Sequence, residues 1–213
     1  MDAPLSIRIR HDVDGDPLIH DTLLYVADAG YPFKVEGVRY FIYGFSLVKQ
    51  DNSLVSLGGL NLVDSRNPSS QSVYLGEAPS GDYIGLDFYL GLPAAQDTAD
   101  AFLNNPDYQE MALATPSSGA YRYLRFEGVY MYNDSLNPFR LELAGTFSAR
   151  HYTLLKNITV DPEGTRLDLI MNLSEWLRNP HDYDFVADGP FSLQNDSSLN
   201  YLAENGSDVF RFE

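Results

Sequence analysis

Apolar and polar residues alternate with a period of two through much of the chain. Residues 5–10 set Leu, Ile and Ile against Ser, Arg and Arg, the pattern of a strand with one face on a core and one in water. Tyr83-Ile-Gly-Leu-Asp-Phe-Tyr-Leu90 and Tyr121-Arg-Tyr-Leu-Arg-Phe126 carry the aromatic and branched side chains that pleated surfaces favour. Similar runs cover 38–48, 60–63, 72–75, 83–90, 121–131, 139–144, 151–159 and 166–171. Clusters of Gly, Pro, Asn and Asp separate them, as in His11-Asp-Val-Asp-Gly-Asp-Pro17, which reads as a turn. Nine such runs predict an all-β fold, an antiparallel β-sandwich with long loops, rather than an α/β layer. Helical spacing is confined to three short pieces: 97–103, stopped by Pro106; 172–178, with Leu173, Trp176 and Leu177 on one face; and 198–205, closed at Asn205-Gly206. No linker, composition shift or repeat divides residues 1–213, which read as a single domain.

Composition narrows the class. The 213 residues hold 30 Asp and Glu against 14 Lys and Arg, a formal charge of −16. Such a surface is a poor counterion for phosphate, so no nucleic-acid partner is expected. With no cysteine, disulfides, thiol catalysis and Cys-based metal sites are excluded. At 44% apolar and 13% aromatic residues the chain can fill a core, which argues against disorder. No apolar run approaches the roughly 18 residues of a membrane span. Met-Asp-Ala-Pro-Leu-Ser-Ile at the start has neither the basic residues nor the apolar run of a signal peptide.

Catalytic signatures are sparse. There is no Gly-x-Ser-x-Gly elbow, phosphate loop or His-Glu-x-x-His, and Ser117-Ser-Gly-Ala has no histidine nearby in sequence, so the chain reads as non-catalytic. Asp12, Asp14 and Asp16 stand at alternate positions, the beginning of a calcium-loop spacing. The glycine falls too early, and no Glu follows where an EF-hand needs one, so a solvated turn is the simpler reading and calcium the alternative. His11 and His20 flank that turn, and two imidazoles suit copper or zinc when a third ligand joins them. In the 121–126 run, alternation places Tyr121, Tyr123 and Arg125 on one face. That face reads as an inner sheet surface before it reads as a stacking platform.

In order, these segments resemble the MbnP-like family of bacterial extracytoplasmic proteins, which includes the copper proteins MbnP, CorA and MopE. The resemblance runs from Ile7-Arg-Ile-Arg-His11 through Val38-Arg-Tyr-Phe-Ile-Tyr-Gly-Phe-Ser-Leu47 to Leu199-Asn-Tyr-Leu-Ala-Glu-Asn205. Its most specific stretch is Ala78-Pro-Ser-Gly-Asp-Tyr-Ile-Gly-Leu-Asp-Phe-Tyr-Leu-Gly-Leu92. It implies a sandwich-like fold, export to the periplasm or cell surface, often with a lipid anchor on the precursor, and copper held by histidines. In some members it also implies a tryptophan oxidised to kynurenine by a partner di-haem peroxidase. This chain departs at the sites of that chemistry. Leu113 and Thr115 stand where the family tends to carry Trp-x-Trp, Glu142 where an imidazole stands, and Gln194-Asn195 in place of a Met-His pair. The expectation is therefore a family member that keeps the scaffold and has lost or rebuilt the copper site, with His11, His20 and Glu142 as the remaining ligand candidates. The alternative is a cell-surface module for a protein or glycan ligand, holding a structural calcium ion on Asp12, Asp14 and Asp16.

Overall fold

The computed structural model describes residues 2–114, 120–145 and 149–213. β1 (Asp2–Val13) turns through Asp14 and Gly15 into the short β2 (Asp16–Pro17), and β3 (Tyr25–Val26) leads into the long β4 (Pro32–Val48). β5 (Leu54–Asp64), β6 (Ser72–Pro79) and β7 (Gly81–Leu90) follow. A loop carrying α1 (Pro106–Gln109) precedes β8 (Arg122–Tyr132), β9 (Ser135–Ala144), β10 (Arg150–Val160) and β11 (Thr165–Asn172). A 3-10 turn (Leu173–Leu177), α2 (Asp196–Asn205) and β12 (Phe210–Phe212) close the order. All nine runs expected from alternation lie in strands, except that Tyr121 sits just ahead of β8 as an isolated bridge to Ala112. The three strands they omit, β2, β3 and β12, are only two or three residues long, too short for a period to register.

The strands form two sheets. The smaller runs β12-β11-β1-β2, with β6 also paired to β1; the larger runs β10-β7-β4-β8-β9, with β3 and β5 on β4. β4 is long enough that β7 and β8 share one of its edges end to end while β5 takes the other. Pairing is antiparallel except between β1 and β11, which run parallel from Leu5↔Thr165 to Asp12↔Asn172. The reason is connectivity: β11 enters the small sheet by a turn from β10, which belongs to the large one, so its direction follows from that crossing.

Inner faces meet over an aromatic core. Phe88 of β7 stacks on Phe45 of β4 and Tyr152 of β10, each at 5.2 Å, and meets Phe210 of β12 edge-on at 5.1 Å. These rings join the two sheets, and burying each contributes about 1.5–3 kcal/mol.

Two local expectations change. Residues 97–103 form turns, and the helix comes afterwards at Pro106–Gln109, where Pro106 opens it and the Asn105 side chain accepts from the Tyr108 N–H. Asp97 is buried instead, its carboxylate accepting from the backbone N–H groups of Ala120 and Tyr121 at 2.7 and 2.9 Å and from the Tyr123 hydroxyl at 2.9 Å. Residues 173–177 wind as a 3-10 turn, capped by the Asn172 side chain. Ser117 and Thr115 lie outside the described residues.

Candidate metal centre

Alternation along β1 buries Leu5, Ile7 and Ile9, and continues to His11 on the same face. His11 is only 7% exposed, with Nε2 hydrogen-bonded to the Tyr40 hydroxyl at 3.0 Å and its ring edge-on to the Tyr40 ring at 5.7 Å. Burial above all, and the nearby His20 after it, lower its pKa to about 4, with Asp64 acting in the opposite direction. His11 is thus a neutral imidazole held in the core. Tyr40 is itself fully buried, which pushes its phenol well above the ordinary range and keeps it a neutral partner.

His20 lies between β2 and β3, with Nε2 2.9 Å from Ser65 Oγ. Ser65 Oγ also accepts from the Val38 N–H at 3.0 Å, so this hydroxyl ties the His20 loop to β4. Partial burial and the Arg66 guanidinium lower the His20 pKa, against Asp21 and Asp64. Asp64 at the end of β5 acts on both histidines, but its carboxylate accepts from Arg39 Nε at 2.8 Å and from the Arg66 N–H at 2.8 Å. The structure therefore brings His11 and His20 within electrostatic reach, as their positions on either side of the turn suggest. Tyr40, Ser65 and Asp64, the groups that act on the two histidines, arrive from β4, the end of β5 and the residue after it, and only strand pairing places them there.

Replacing Tyr40 by Phe leaves the buried His11 Nε2 without its partner. The expected loss of stability is about 1–2 kcal/mol, read from urea unfolding at pH 8; an unchanged midpoint would show that the hydrogen bond contributes nothing.

The remaining candidates lie apart. Glu142 is buried on β9, where it pairs with Arg122 Nε, while its backbone N–H donates to Ser192 Oγ at 2.7 Å. Along the row Asp64↔Arg39↔Arg125↔Glu142 it stands three strands from Asp64, roughly 14 Å at the usual strand spacing. Asp12 is buried against Arg211 of β12. Asp14, at φ 55°, accepts from Ser174 Oγ at 3.0 Å and pairs with Arg178 at 2.7 Å, while Asp16 is exposed. The three carboxylates thus point to different partners and do not converge. His151 is hydrogen-bonded to the buried Asp87 at 2.7 Å and His181 to Glu204 at 2.6 Å. Gln194 ends a 3-10 turn, and Asn195 caps α2 through its side chain. Among the described residues no three His, Asp or Glu side chains stand together as a metal-binding group.

Fold and side-chain cluster together define a two-sheet β-sandwich protein with a neutral, core-facing histidine within electrostatic reach of a second one on a loop. The family model for MbnP matches residues 2–196, and the chain belongs to the MbnP family. Its structure is similar to that of MbnP from Methylosinus trichosporium, with a TM-score of 0.63 over 86% of this chain and 80% of that one. Sequence identity is 16%, so this likeness is one of fold. No curated protein sequence matches the chain.

Proposed function

We propose that the chain is a non-catalytic, extracytoplasmic binding protein of the MbnP type whose metal site differs from the copper site its family implies. One observation carries the reading: at the position where the resemblance sets an imidazole, Glu142 is engaged by Arg122, away from the histidine pair. Leu113 and Gln194 offer neither an indole nor a soft ligand at the other family positions. What remains is two neutral imidazoles and the Asp64 carboxylate, already bound by Arg39. Two imidazoles without a third soft donor do not make the family's ligand set. The residues therefore do not fit copper as the resemblance implies it. A di-haem peroxidase partner would find no indole at position 113 or 115, and Trp176 is fully buried. Extracytoplasmic placement follows from the family; no helix among the described residues is long and apolar enough to cross a membrane.

The test is anaerobic Cu(I) titration of the purified protein against a competing chelator, followed by elemental analysis, with Ca²⁺ in a parallel arm. The expected result is copper well below one equivalent and no rise in Tm with Ca²⁺. One equivalent of tightly held copper, lost on changing His11→Ala or His20→Ala, would refute the altered site. A Ca²⁺-dependent rise lost in Asp14→Ala would transfer support to the calcium-bearing module.

A further inference from the structure

We propose that the segment between β2 and β3, residues 18–26, is a docking surface for a protein partner that presents apolar side chains within a basic rim. Ile19, Leu23, Leu24 and Val26 are 54, 37, 55 and 61% exposed. They are four of the eleven large apolar side chains exposed among the described residues, and the other seven are spread over the rest of the chain. A concentration of this kind, ringed by polar groups, is the mark of an interaction site, whereas scattered apolar residues need no explanation.

The exposure is built in by the fold. The Leu18 N–H donates to the His11 carbonyl at 3.1 Å and the Asp21 N–H to the Val35 carbonyl at 2.9 Å. Tyr25, buried against Phe33, accepts from the Ile19 N–H at 2.8 Å and so draws the two ends of the segment together. Since Tyr25 and Ala27 point inward, Leu24 and Val26 are held outward. Asp21, in the left-handed region at φ 60°, pairs with Arg66 at 2.6 Å, and His20 is fixed on Ser65. A segment pinned at this many points presents its apolar side chains in one arrangement and loses little freedom when a partner covers them.

Charge selects the partner. Asp16 and Asp28 are exposed on either side of the segment, Asp21 is held by Arg66, and the chain as a whole carries a charge of −16. An anionic bilayer would be repelled, and a second copy would bring the same acids, so the complementary face is a protein with cations around an apolar centre.

The test uses the full chain with labelled Ile, Leu and Val methyl groups, titrated with a 14-residue amphipathic Leu/Lys peptide. A Leu/Glu peptide and a Ser/Lys peptide serve as comparisons. The Leu/Lys peptide is expected to shift the methyl signals of Ile19, Leu23, Leu24 and Val26 saturably. The double variant Ile19→Ser, Leu24→Ser should weaken it about tenfold, ~1.4 kcal/mol, with Tm unchanged, while Leu136→Ser should leave it intact. Equal binding of the Ser/Lys peptide, or no effect of the double variant, overturns the proposal. So does a loop response to phosphatidylglycerol vesicles, which would make the site a membrane contact. Self-association abolished by the double variant would make it a contact between copies.

Discussion

Lowering the pH from 8 to 4 should weaken the fold by about 3 kcal/mol through His11 alone. Its pKa falls from 6.5 to about 4 in the folded protein because the imidazole is buried. Between those values the unfolded chain takes up a proton that the native state refuses, so unfolding becomes easier as pH drops. The stabilisation is fully present above pH 6.5, is lost progressively as the pH falls, and is exhausted near pH 4. His20 adds in the same direction, its pKa also being lowered by burial. Urea unfolding across this range in the native chain and in His11→Gln isolates the effect. The variant should show a slope shallower by this amount, and parallel curves would exclude a buried neutral His11.

Gly128→Ala is expected to cost about 3 kcal/mol or more, or to prevent folding. Gly128 lies on β8 opposite Val35 of β4, and a Cβ there would sit 2.0 Å from the Lys34 carbonyl oxygen and 2.9 Å from the Phe139 ring. No rotamer can relieve a clash with backbone, so β4 and β8 would have to separate where the bulge between Val35 and Gly37 brings them together. Gly15→Ala is the control. Its Cβ meets nothing within 4 Å, and only the left-handed backbone at φ 94° adds strain of about 1 kcal/mol. Equal losses in the two variants, measured by thermal and urea unfolding, would show that backbone conformation rather than space governs both positions.

The long strands were legible because half-buried strands write a period of two, and the family could be seen in the order of loose motifs. Pairing partners were less accessible. Nothing in residues 5–10 says that β1 lies parallel to β11, since that depends on how the chain crosses between sheets. In the 121–126 run, alternation puts Arg125 with Tyr121 and Tyr123. A register shift between Arg122 and Leu124 interrupts the period, so that Tyr121, Tyr123, Leu124 and Phe126 are all buried while Arg125 turns outward to Glu127. The acids were hardest to read. The spacing of Asp12, Asp14 and Asp16 suggests a shared cation, but two of them meet Arg211 and Arg178 from the far end of the chain. His11 was better signalled, because the alternation through Leu5, Ile7 and Ile9 carries it inward.

The parallel seam of β1 with β11 also governs the order in which the molecule can assemble. The first strand can pair with β6 early, but its other edge is filled only by Thr165–Asn172, and Asp12 meets Arg211 across 199 positions. Closing a loop of that length delays the contact more than it weakens it, because chain entropy must be lost before any pairing compensates. The large sheet can begin from the β4–β5 and β8–β9 hairpins while synthesis continues. The small sheet can start from β1 with β6, but it is completed only when β11 and β12 take their places beside β1.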